Sequence, residues 1–261
     1  MESYSQGFFN DISLTSTRSA SRTVAVLKEI LRPRSVLDVG CGVGSWAAAF
    51  RAAGVSDVAG IDGDWVPLDS LKIPRDRFSH VDLSQPVPLD RRFDLAVCLE
   101  VAEHLPESGS GSLLDLLDSA ADAILFSAAV PGQGGTGHVN EQWPKYWIQR
   151  FEARGYQLFD VVRPLVFQDP DVAFWYCQNM MIFARPAAVE AGIVRVPSTL
   201  DTWRGAPVVH PRLLKTAINS RRLVPREWLQ YGVRQLVPDI LARLQGRAVR
   251  ADPREFALGS E

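Results

Sequence analysis

The stretch VLDVGCGVGSW, residues 36–46, decides the fold of this chain. It opens with a short apolar run rich in β-branched residues, which predicts a buried strand, and it leads into an alanine-rich helical segment that Gly54 stops. Between strand and helix lie Gly40, Gly42 and Gly44, where the backbone can turn sharply and approach a ligand closely. We therefore expect the first strand of an open α/β sheet, with a nucleotide-binding loop at its carboxyl end.

Strand and helix patterns alternate along the chain on both sides of this loop. Apolar runs predict six further strands, in the segments DVAGID, RFSHVD, FDLAVCLE, AILFSAAV, YQLFDVVRPLVF and NMMIFARP. Helical patterns separate several of these runs, which predicts a mainly parallel sheet covered on both faces. No strong helical pattern separates the last two runs, so we expect a terminal antiparallel hairpin.

Composition is that of an ordinary globular protein, with 46% hydrophobic and 22% charged residues and a formal net charge of −2. This charge gives no global attraction to nucleic acid or membranes. Residues 191–261 nevertheless carry 12 Arg and Lys against 6 Asp and Glu, a net charge of +6, and the preceding residues carry a net charge of −8. We expect a domain over residues 1–190 and a basic, mainly helical extension over residues 191–261.

Neither a secretory signal nor a disulfide framework is expected from the sequence. The three cysteines are widely spaced and odd in number, and they form neither a disulfide framework nor a CxxC zinc pattern. The first residues lack the basic and apolar regions of a secretory signal, and no apolar run approaches the ~20 residues of a membrane span. A reducing cytoplasm is the expected location.

Three carboxylates follow three successive predicted strands. Asp38 precedes the glycine loop, Asp62 ends the second strand 22 residues after Gly40, and Asp82 ends the third. A carboxylate at the position of Asp62 can accept hydrogen bonds from both ribose hydroxyls, and Asp82 is placed to accept from an adenine amino group. The alternative is a structural role, because Asp is common in turns at strand ends.

In their order, the motifs VLDVGCGVGSW, GIDGDW, VDLSQP and FDLAVCLEVAEHLP resemble those of class I S-adenosylmethionine-dependent methyltransferases over roughly residues 20–186. The resemblance implies a Rossmann-like, seven-stranded sheet that ends in an antiparallel β-hairpin, with S-adenosylmethionine as the cofactor. It implies that Asp38 lies near the methionine end of the cofactor, that Asp62 holds the ribose, and that Asp82 with Leu83 contacts the adenine. The residues assigned to the cofactor are Asp38, Gly40, Gly42, Gly44, Asp62, Asp82, Leu83 and Glu100.

An acidic cluster, LEVAEHLP, follows the fourth predicted strand. If a helix begins there, Glu100, Glu103 and His104 share one face and can bind a divalent metal or supply a general base. The ExxEH pattern also resembles metal-dependent 2′-O-methyltransferases of small-RNA 3′ ends and ubiquinone-pathway O-methyltransferases. In the RNA enzymes a later histidine completes the metal site, which implies His138 as the fourth ligand. In many other methyltransferases these residues only cap a helix and border the pocket.

A second glycine-rich stretch, PGQGGTGHVNEQWP at residues 131–144, follows the fifth predicted strand. Its glycines predict the hinges of a lid that places His138, Asn140 and Glu141 over the methyl acceptor. The candidate proton acceptors are then His138, His104 and Glu103, the last two from the acidic cluster.

These patterns predict methyl transfer from S-adenosylmethionine to an oxygen of a small molecule or saccharide. RNA 2′-O-methylation is the second enzyme hypothesis, supported by the ExxEH motif and the basic extension, although the acidic domain does not favour nucleic acid. A non-catalytic, S-adenosylmethionine-binding regulatory protein is the third hypothesis, and the intact Asp38 and Asp62 argue against it. A nicotinamide oxidoreductase is disfavoured because Ser45 stands where the dinucleotide fingerprint requires glycine.

Overall fold

A computed structural model describes residues 6–197, 200 and 202–219 of the chain. The chain divides into two compact units, Met1–Gly205 and Ala206–Glu261. The strands of the first unit are β1 (Ser35–Val39), β2 (Asp57–Asp62), β3 (Phe78–His80), β4 (Leu95–Leu99), β5 (Ala123–Ser127), β6 (Gln157–Phe159) and β7 (Met181–Ala184). Its helices are α1 (Gln6–Leu27), α2 (Ser45–Ala52), α3 (Ser110–Ala120), α4 (Pro144–Glu152), α5 (Val162–Val166), α6 (Phe174–Asn179) and α7 (Pro186–Glu190).

The strands form one seven-stranded sheet in the order β3-β2-β1-β4-β5-β7-β6. The five strands from β3 to β5 are parallel, and β7 runs antiparallel to both β5 and β6. This arrangement confirms the predicted Rossmann-like sheet with an antiparallel end. The parallel strands place the loops that follow β1, β2, β4 and β5 at one edge of the sheet, where ligands bind in folds of this kind.

Apolar side chains fill both faces of the sheet. On one face, Trp46 and Phe50 of α2 are buried in a layer that also contains residues of α1. On the other face, Trp147 and Phe151 of α4 are buried, and their rings contact Phe126 of β5. Aromatic residues four positions apart on α4 therefore attach this helix to the sheet, as their helical spacing predicts.

The segment between β6 and β7 differs from the prediction. The apolar run YQLFDVVRPLVF predicts one strand, but only Gln157–Phe159 is extended and α5 begins at Val162. Two helices, α5 and α6, connect β6 to β7, so the antiparallel pair is not a tight hairpin. The reason lies partly in Arg163, whose fully buried guanidinium pairs with the fully buried carboxylate of Asp160 at i, i+3 spacing. This spacing suits a helical turn and not the alternating faces of a strand.

The first compact unit continues beyond the boundary near residue 190 that charge and pattern suggest. Val194 forms a β-bridge with Leu31. Further on, the backbone N–H of Trp203 donates to the Asp160 carbonyl at 3.2 Å, and the backbone N–H of Gly205 donates to the Asp160 carboxylate at 2.7 Å. The buried Asp160–Arg163 pair thus holds the segment that ends at Gly205.

The second unit contains the helix α8 (Pro211–Asn219) among its described residues. The predicted helical extension over residues 191–261 continues past this helix, and its residues 220–261 lie outside the described residues. Within the described ranges, no helix combines the length and the apolar character that crossing a bilayer requires.

Candidate active site

The glycine loop after β1 packs against the segment after β4. Gly40, Gly42 and Gly44 all have positive φ angles, of 71°, 53° and 82°. A Cβ on Gly40 would lie 2.4 Å from a methyl of Val101, so a side chain there has no room. A Cβ on Gly42, in contrast, would meet no atom of the described chain within 4 Å. The backbone at Gly42 is thus accessible to a ligand, as a cofactor loop requires.

Asp62 connects the end of β2 to this loop. Its side chain is buried, and its Oδ2 accepts a hydrogen bond from the Gly42 backbone N–H at 2.6 Å. Its Oδ1 accepts from the Gly63 N–H, also at 2.6 Å. Burial raises the pKa of Asp62, and these two hydrogen bonds oppose the rise. The carboxylate predicted to hold the ribose is therefore already fixed in position by two backbone donors.

Trp65 is a residue near Asp62 that sequence reasoning missed. The chain folds back in a tight turn, in which the Val66 N–H donates to the Gly63 carbonyl at 3.2 Å. The six-membered ring of the half-exposed Trp65 indole then lies on Gly63, where a Cβ would come within 2.2 Å of it. The motif GIDGDW carried the signal, because glycine followed by tryptophan two residues later permits this contact.

Asp38 lies beneath the glycine loop and supports α2. Its side chain is 2% exposed, and its Oδ2 accepts a hydrogen bond from the Ala47 backbone N–H at 3.1 Å. Burial, with a smaller contribution from the charge of Asp62, raises the pKa of Asp38 to about 7. The contact with Ala47 satisfies one of the donors at the start of α2.

Asp82 and Leu83, the predicted adenine contacts, follow β3 with opposite exposures. Asp82 is exposed, and its Oδ1 accepts hydrogen bonds from the Ser84 hydroxyl at 2.6 Å and from the Ser84 N–H at 2.9 Å. These hydrogen bonds lower the pKa of Asp82. Leu83 is buried. The carboxylate closes its own turn and keeps acceptor capacity toward solvent.

Glu100 occupies a constrained position directly after β4. Its φ is 58°, in the left-handed region that side chains disfavour. Its two carboxylate oxygens accept hydrogen bonds from the side-chain amides of Gln133, at 2.7 Å, and Asn179, at 3.1 Å. Burial raises the pKa of Glu100, and these hydrogen bonds oppose the rise. Gln133 and Asn179 thus hold this carboxylate, a role that their positions in the sequence do not suggest.

The predicted helix across the ExxEH motif does not form. Only Ala102–His104 make a single 3-10 turn, and Glu100 lies outside it. Leu105 is extended because Pro106 follows it, and this disfavours continuation of the helix. The left-handed φ of Glu100 prevents a start before Val101. Glu100 therefore does not share a helical face with Glu103 and His104.

Glu103, His104 and His138 meet at the edge of the sheet. A potential ligand atom from each residue lies within 4.8 Å of the others, and the centroids of the two imidazole rings are 4.9 Å apart. Glu103 is 0% exposed, and within the described chain neither of its carboxylate oxygens makes a hydrogen bond of regular geometry. Three of the four predicted metal ligands thus come together, and Glu100 is not among them.

Burial sets the proton affinities in this cluster. Burial, and then the charge of Glu100, raise the pKa of Glu103 well above its usual value, although the nearby backbone N–H of Ala129 opposes the rise. Burial, and then His138, lower the pKa of His104. Burial therefore favours the neutral form of both groups, a carboxyl group on Glu103 and a neutral imidazole on His104.

The loop between β5 and α4 brings His138 to this cluster. The backbone N–H groups of Val139 and Asn140 both donate to the Glu103 carbonyl, at 2.9 and 3.1 Å. The Gln142 N–H donates to the Ala129 carbonyl at 3.1 Å. Hydrogen bonds thus fix residues 139–142 to Glu103 and to the end of β5. Any motion of the predicted lid would therefore occur in its glycine-rich part, before His138.

Glu141 organises the glycine-rich part of this loop. Its carboxylate accepts the backbone N–H groups of Gly132 and Gly134, each at 2.7 Å, and lies 2.9 Å from Nδ1 of His138. The imidazole ring lies on Gly135, where a Cβ would come within 2.2 Å of Nε2. The glycines therefore serve the placement of His138 as well as the turn of the backbone.

Comparisons with known proteins agree with this architecture. Residues 15–162 match the profile of a family described as a methyltransferase domain. A ubiquinone biosynthesis O-methyltransferase from Pseudomonas syringae pv. tomato is 33% identical over 89 residues, which are 31% of this chain and 37% of the relative. The chain thus aligns with little more than a third of that curated relative's length.

Two solved structures align with about two thirds of this chain. One is a protein from Nostoc punctiforme described as a candidate O-methyltransferase, at 14% identity and a TM-score of 0.50 over 68% of this chain and 59% of that one. The other is a magnesium protoporphyrin IX methyltransferase from Synechocystis with bound S-adenosylhomocysteine, at 19% identity and a TM-score of 0.47 over 67% of this chain and 86% of that one. Given its strand order, its glycine loop and the family match over residues 15–162, the chain belongs to the methyltransferase domain family, with the class I S-adenosylmethionine-dependent fold.

Proposed function

We propose that this protein transfers a methyl group from S-adenosylmethionine to a hydroxyl oxygen of a small molecule or saccharide. The observation that carries the proposal is the convergence of Glu103, His104 and His138 within 4.8 Å. Glu103 and His104 belong to the turn Ala102–His104, and the residue before this turn, Val101, contacts the glycine loop at Gly40. Proton-accepting groups and a cofactor loop therefore share one edge of the sheet, as methyl transfer to a hydroxyl requires.

Residues of the glycine loop and of β2 are suited to hold the cofactor. The accessible backbone at Gly42 can pack against it, and Asp62 can accept from the ribose hydroxyls. Asp82 and the buried Leu83 are the candidates for the adenine. When bound, the cofactor would supply an electrophilic sulfonium methyl group, and attack of the acceptor oxygen on its carbon would break the S–CH3 bond and release S-adenosylhomocysteine.

His104 and His138 are the proposed acceptors of the hydroxyl proton. The lowered pKa of His104 keeps its imidazole neutral and able to accept a proton at neutral pH. The raised pKa of the buried Glu103 favours its neutral form, so Glu141, at 2.9 Å from Nδ1 of His138, is the carboxylate that can stabilise the imidazolium that results. The acceptor oxygen then attacks as it loses its proton, and the protein contributes mainly alignment and proton removal.

The curated relative and the charge of the chain indicate the class of acceptor. The curated relative is named for O-methylation, and the acidic first 190 residues favour a neutral or cationic acceptor over a polyanion. RNA 2′-O-methylation remains a second hypothesis that rests on the basic residues after 190. RNA binding that weakens with salt, and that is lost when residues 206–261 are removed, would favour RNA over the small molecule.

A divalent cation fits part of this site. Glu103, His104 and His138 offer a buried carboxylate and two imidazoles, a donor set that suits a metal of the first transition row. Glu100 is not part of this group of converging ligand atoms, and its two oxygens accept from the amides of Gln133 and Asn179. A bound cation would lower the pKa of the acceptor hydroxyl. Full turnover in EDTA would exclude the cation and leave the histidines as the proton acceptors.

The proposal is tested by turnover with S-adenosylmethionine and a panel of acceptors that includes catechols, other phenols and monosaccharides. We expect S-adenosylhomocysteine to form with at least one hydroxylated acceptor, and His138→Ala and His104→Ala to reduce this turnover with little change in cofactor affinity. Cofactor binding without turnover on any acceptor class would support the non-catalytic alternative. Normal turnover in both variants would remove the histidines from the mechanism.

The free, buried thiols of Cys41, Cys98 and Cys177 agree with the cytoplasm as the proposed location.

A further inference from the structure

Gln133 provides a buried side chain in the glycine-rich segment 132–137. Four of these six residues are glycine, and the other two are Gln133 and Thr136. Thr136 is exposed, whereas Gln133 is 9% exposed. Glycine leaves the backbone many conformations, so contacts of the Gln133 side chain restrict a segment that would otherwise be free to move.

The side chain of Gln133 binds residues that follow β4 and precede β7. Its Nε2 donates to the Glu100 carboxylate at 2.7 Å. Its Oε1 accepts from the side-chain amides of Asn179, at 2.9 Å, and Gln178, at 3.3 Å. These two partners are themselves buried, at 2% and 1% exposure. The position therefore requires a donor and an acceptor together, and the amide of glutamine supplies both.

The backbone on either side of Gln133 binds Glu141. The Gly132 N–H donates to Oε2 of this carboxylate and the Gly134 N–H donates to Oε1, each at 2.7 Å. The same Oε1 lies 2.9 Å from Nδ1 of His138. Both glycines have left-handed φ angles, of 85° and 69°. Their two N–H groups can meet one carboxylate only while the residue between them is fixed.

We propose that Gln133 is a positioning residue for His138 and that it acts through the Glu141 carboxylate. Its buried amide fixes the backbone on both sides, and the two glycine N–H groups then hold Glu141 where it orients the imidazole. The effect on turnover rests on the proposed function, in which His138 accepts the hydroxyl proton. The contact between Glu141 and His138 belongs to the protein without substrate and can be tested separately.

Two substitutions remove the anchor. Gln133→Met keeps a side chain of similar length in the buried position but deletes the amide donor and acceptor. Gln133→Ala deletes the contacts and the buried side chain together. Gln149→Met is the matched control, because Gln149 is exposed on α4. Melting temperatures of all three variants establish that each is folded.

The first measurement is the nitrogen NMR spectrum of the imidazole rings in the protein without ligands, with His138→Ala used to assign the resonances of His138. We expect both Gln133 variants to shift its Nδ1 resonance, because the hydrogen bond with Glu141 changes. The resonances of His80, at the end of β3, should stay in place, and Gln149→Met should give the wild-type spectrum. An unshifted His138 resonance in both Gln133 variants overturns the proposal.

The second measurement is kcat at saturating cofactor in a double-mutant cycle of Gln133→Met and Glu141→Gln. We expect Gln133→Met to lower kcat about tenfold or more, because the imidazole is misplaced. The double variant should lie within about twofold of Glu141→Gln alone, because both changes interrupt one set of contacts. Additive losses would show that Gln133 acts through Glu100 instead, and they would overturn the proposal.

Failure of the proposed function gives a different pattern from failure of this inference. A wild type without turnover on any acceptor, together with a shifted His138 resonance in the Gln133 variants, removes the reaction and retains the positioning of the imidazole. A wild type with turnover, together with unchanged kcat in Gln133→Met and Gln133→Ala, overturns the positioning role alone.

Discussion

Nδ1 of His138 lies 2.9 Å from the Oε1 atom of Glu141, three residues further along the chain. The Glu141 carboxylate is itself fixed by the backbone N–H groups of Gly132 and Gly134. Burial raises the pKa of Glu141, but the hydrogen bonds from His138 and the two glycines outweigh it and hold the pKa below its usual value. A fixed, ionised carboxylate at Nδ1 orients the imidazole and leaves Nε2 as the atom able to accept a proton.

Replacing Glu141 by Gln should impair turnover more than binding. The amide cannot stabilise an imidazolium, so we expect kcat to fall about 10- to 100-fold while the affinity for S-adenosylhomocysteine stays the same. Steady-state kinetics and calorimetry measure the two effects. The control is Glu107→Gln, on an exposed carboxylate that lies 3.9 Å from the Arg150 guanidinium. An unchanged kcat in Glu141→Gln would show that His138 does not depend on this partner.

Gly135→Ala should displace the His138 ring. The added Cβ would come within 2.2 Å of Nε2, and the backbone at Gly135 is not left-handed, so the effect is steric and local. We expect a loss of turnover of about tenfold or more with little change in melting temperature. The matched control is Gly111→Ala in α3, where a Cβ meets no described atom within 4 Å and helix propensity improves. Equal turnover in the two variants would contradict a catalytic position for His138.

Asp62→Ala should weaken the binding of S-adenosylhomocysteine by about tenfold or more, because the ribose acceptor and the partner of the Gly42 N–H are lost together. The neighbouring Asp64 is exposed, so Asp64→Ala serves as the control and should bind normally. Calorimetry gives both affinities. Normal affinity in Asp62→Ala, or an equal loss in Asp64→Ala, would contradict the ribose assignment.

Asp38 should make stability depend on pH. Its folded pKa of about 7 lies above its ordinary value of 3.8, so the folded state holds the proton more tightly than the unfolded state. The stabilisation is fully present below the ordinary value and is lost as pH rises through about 7. Relative to wild type, Asp38→Asn should gain up to about 4 kcal/mol in the free energy of unfolding between pH 4 and pH 8. Urea unfolding at both pH values measures this gain, and a difference independent of pH would contradict the raised pKa.

The sequence predicts those parts of the molecule whose determinants are local. The strand, glycine loop and helix around Gly42 form one continuous segment, and the alternation of apolar runs reveals the sheet. The order of the motifs also predicts that Asp62 lies beside the loop. In the structure the Gly42 N–H donates a hydrogen bond to the Asp62 carboxylate.

Other parts depend on contacts between distant segments. Glu100 is held by Gln133 and Asn179, which lie 33 and 79 positions away in the chain and are brought together by the order of β4, β5 and β7. No local sequence pattern predicts these hydrogen bonds to Glu100. The helix considered at the ExxEH motif does not form, for two local reasons. The sequence shows the first, Pro106, which disfavours continuation of a helix beyond Leu105. It does not show the second, the left-handed backbone of Glu100.

The buried Asp160–Arg163 pair has a practical consequence for dissecting the protein. A shortened chain that stops near residue 190 would lose the bridge at Val194 and the Gly205 N–H that satisfies the Asp160 carboxylate. A charge pair with 0% exposure would then lose one of its hydrogen bonds and the segment that covers it, which is costly in the protein interior. Fragments intended for expression or crystallisation should therefore end after Gly205, and limited proteolysis should spare the bonds of Trp203 and Gly205 to Asp160.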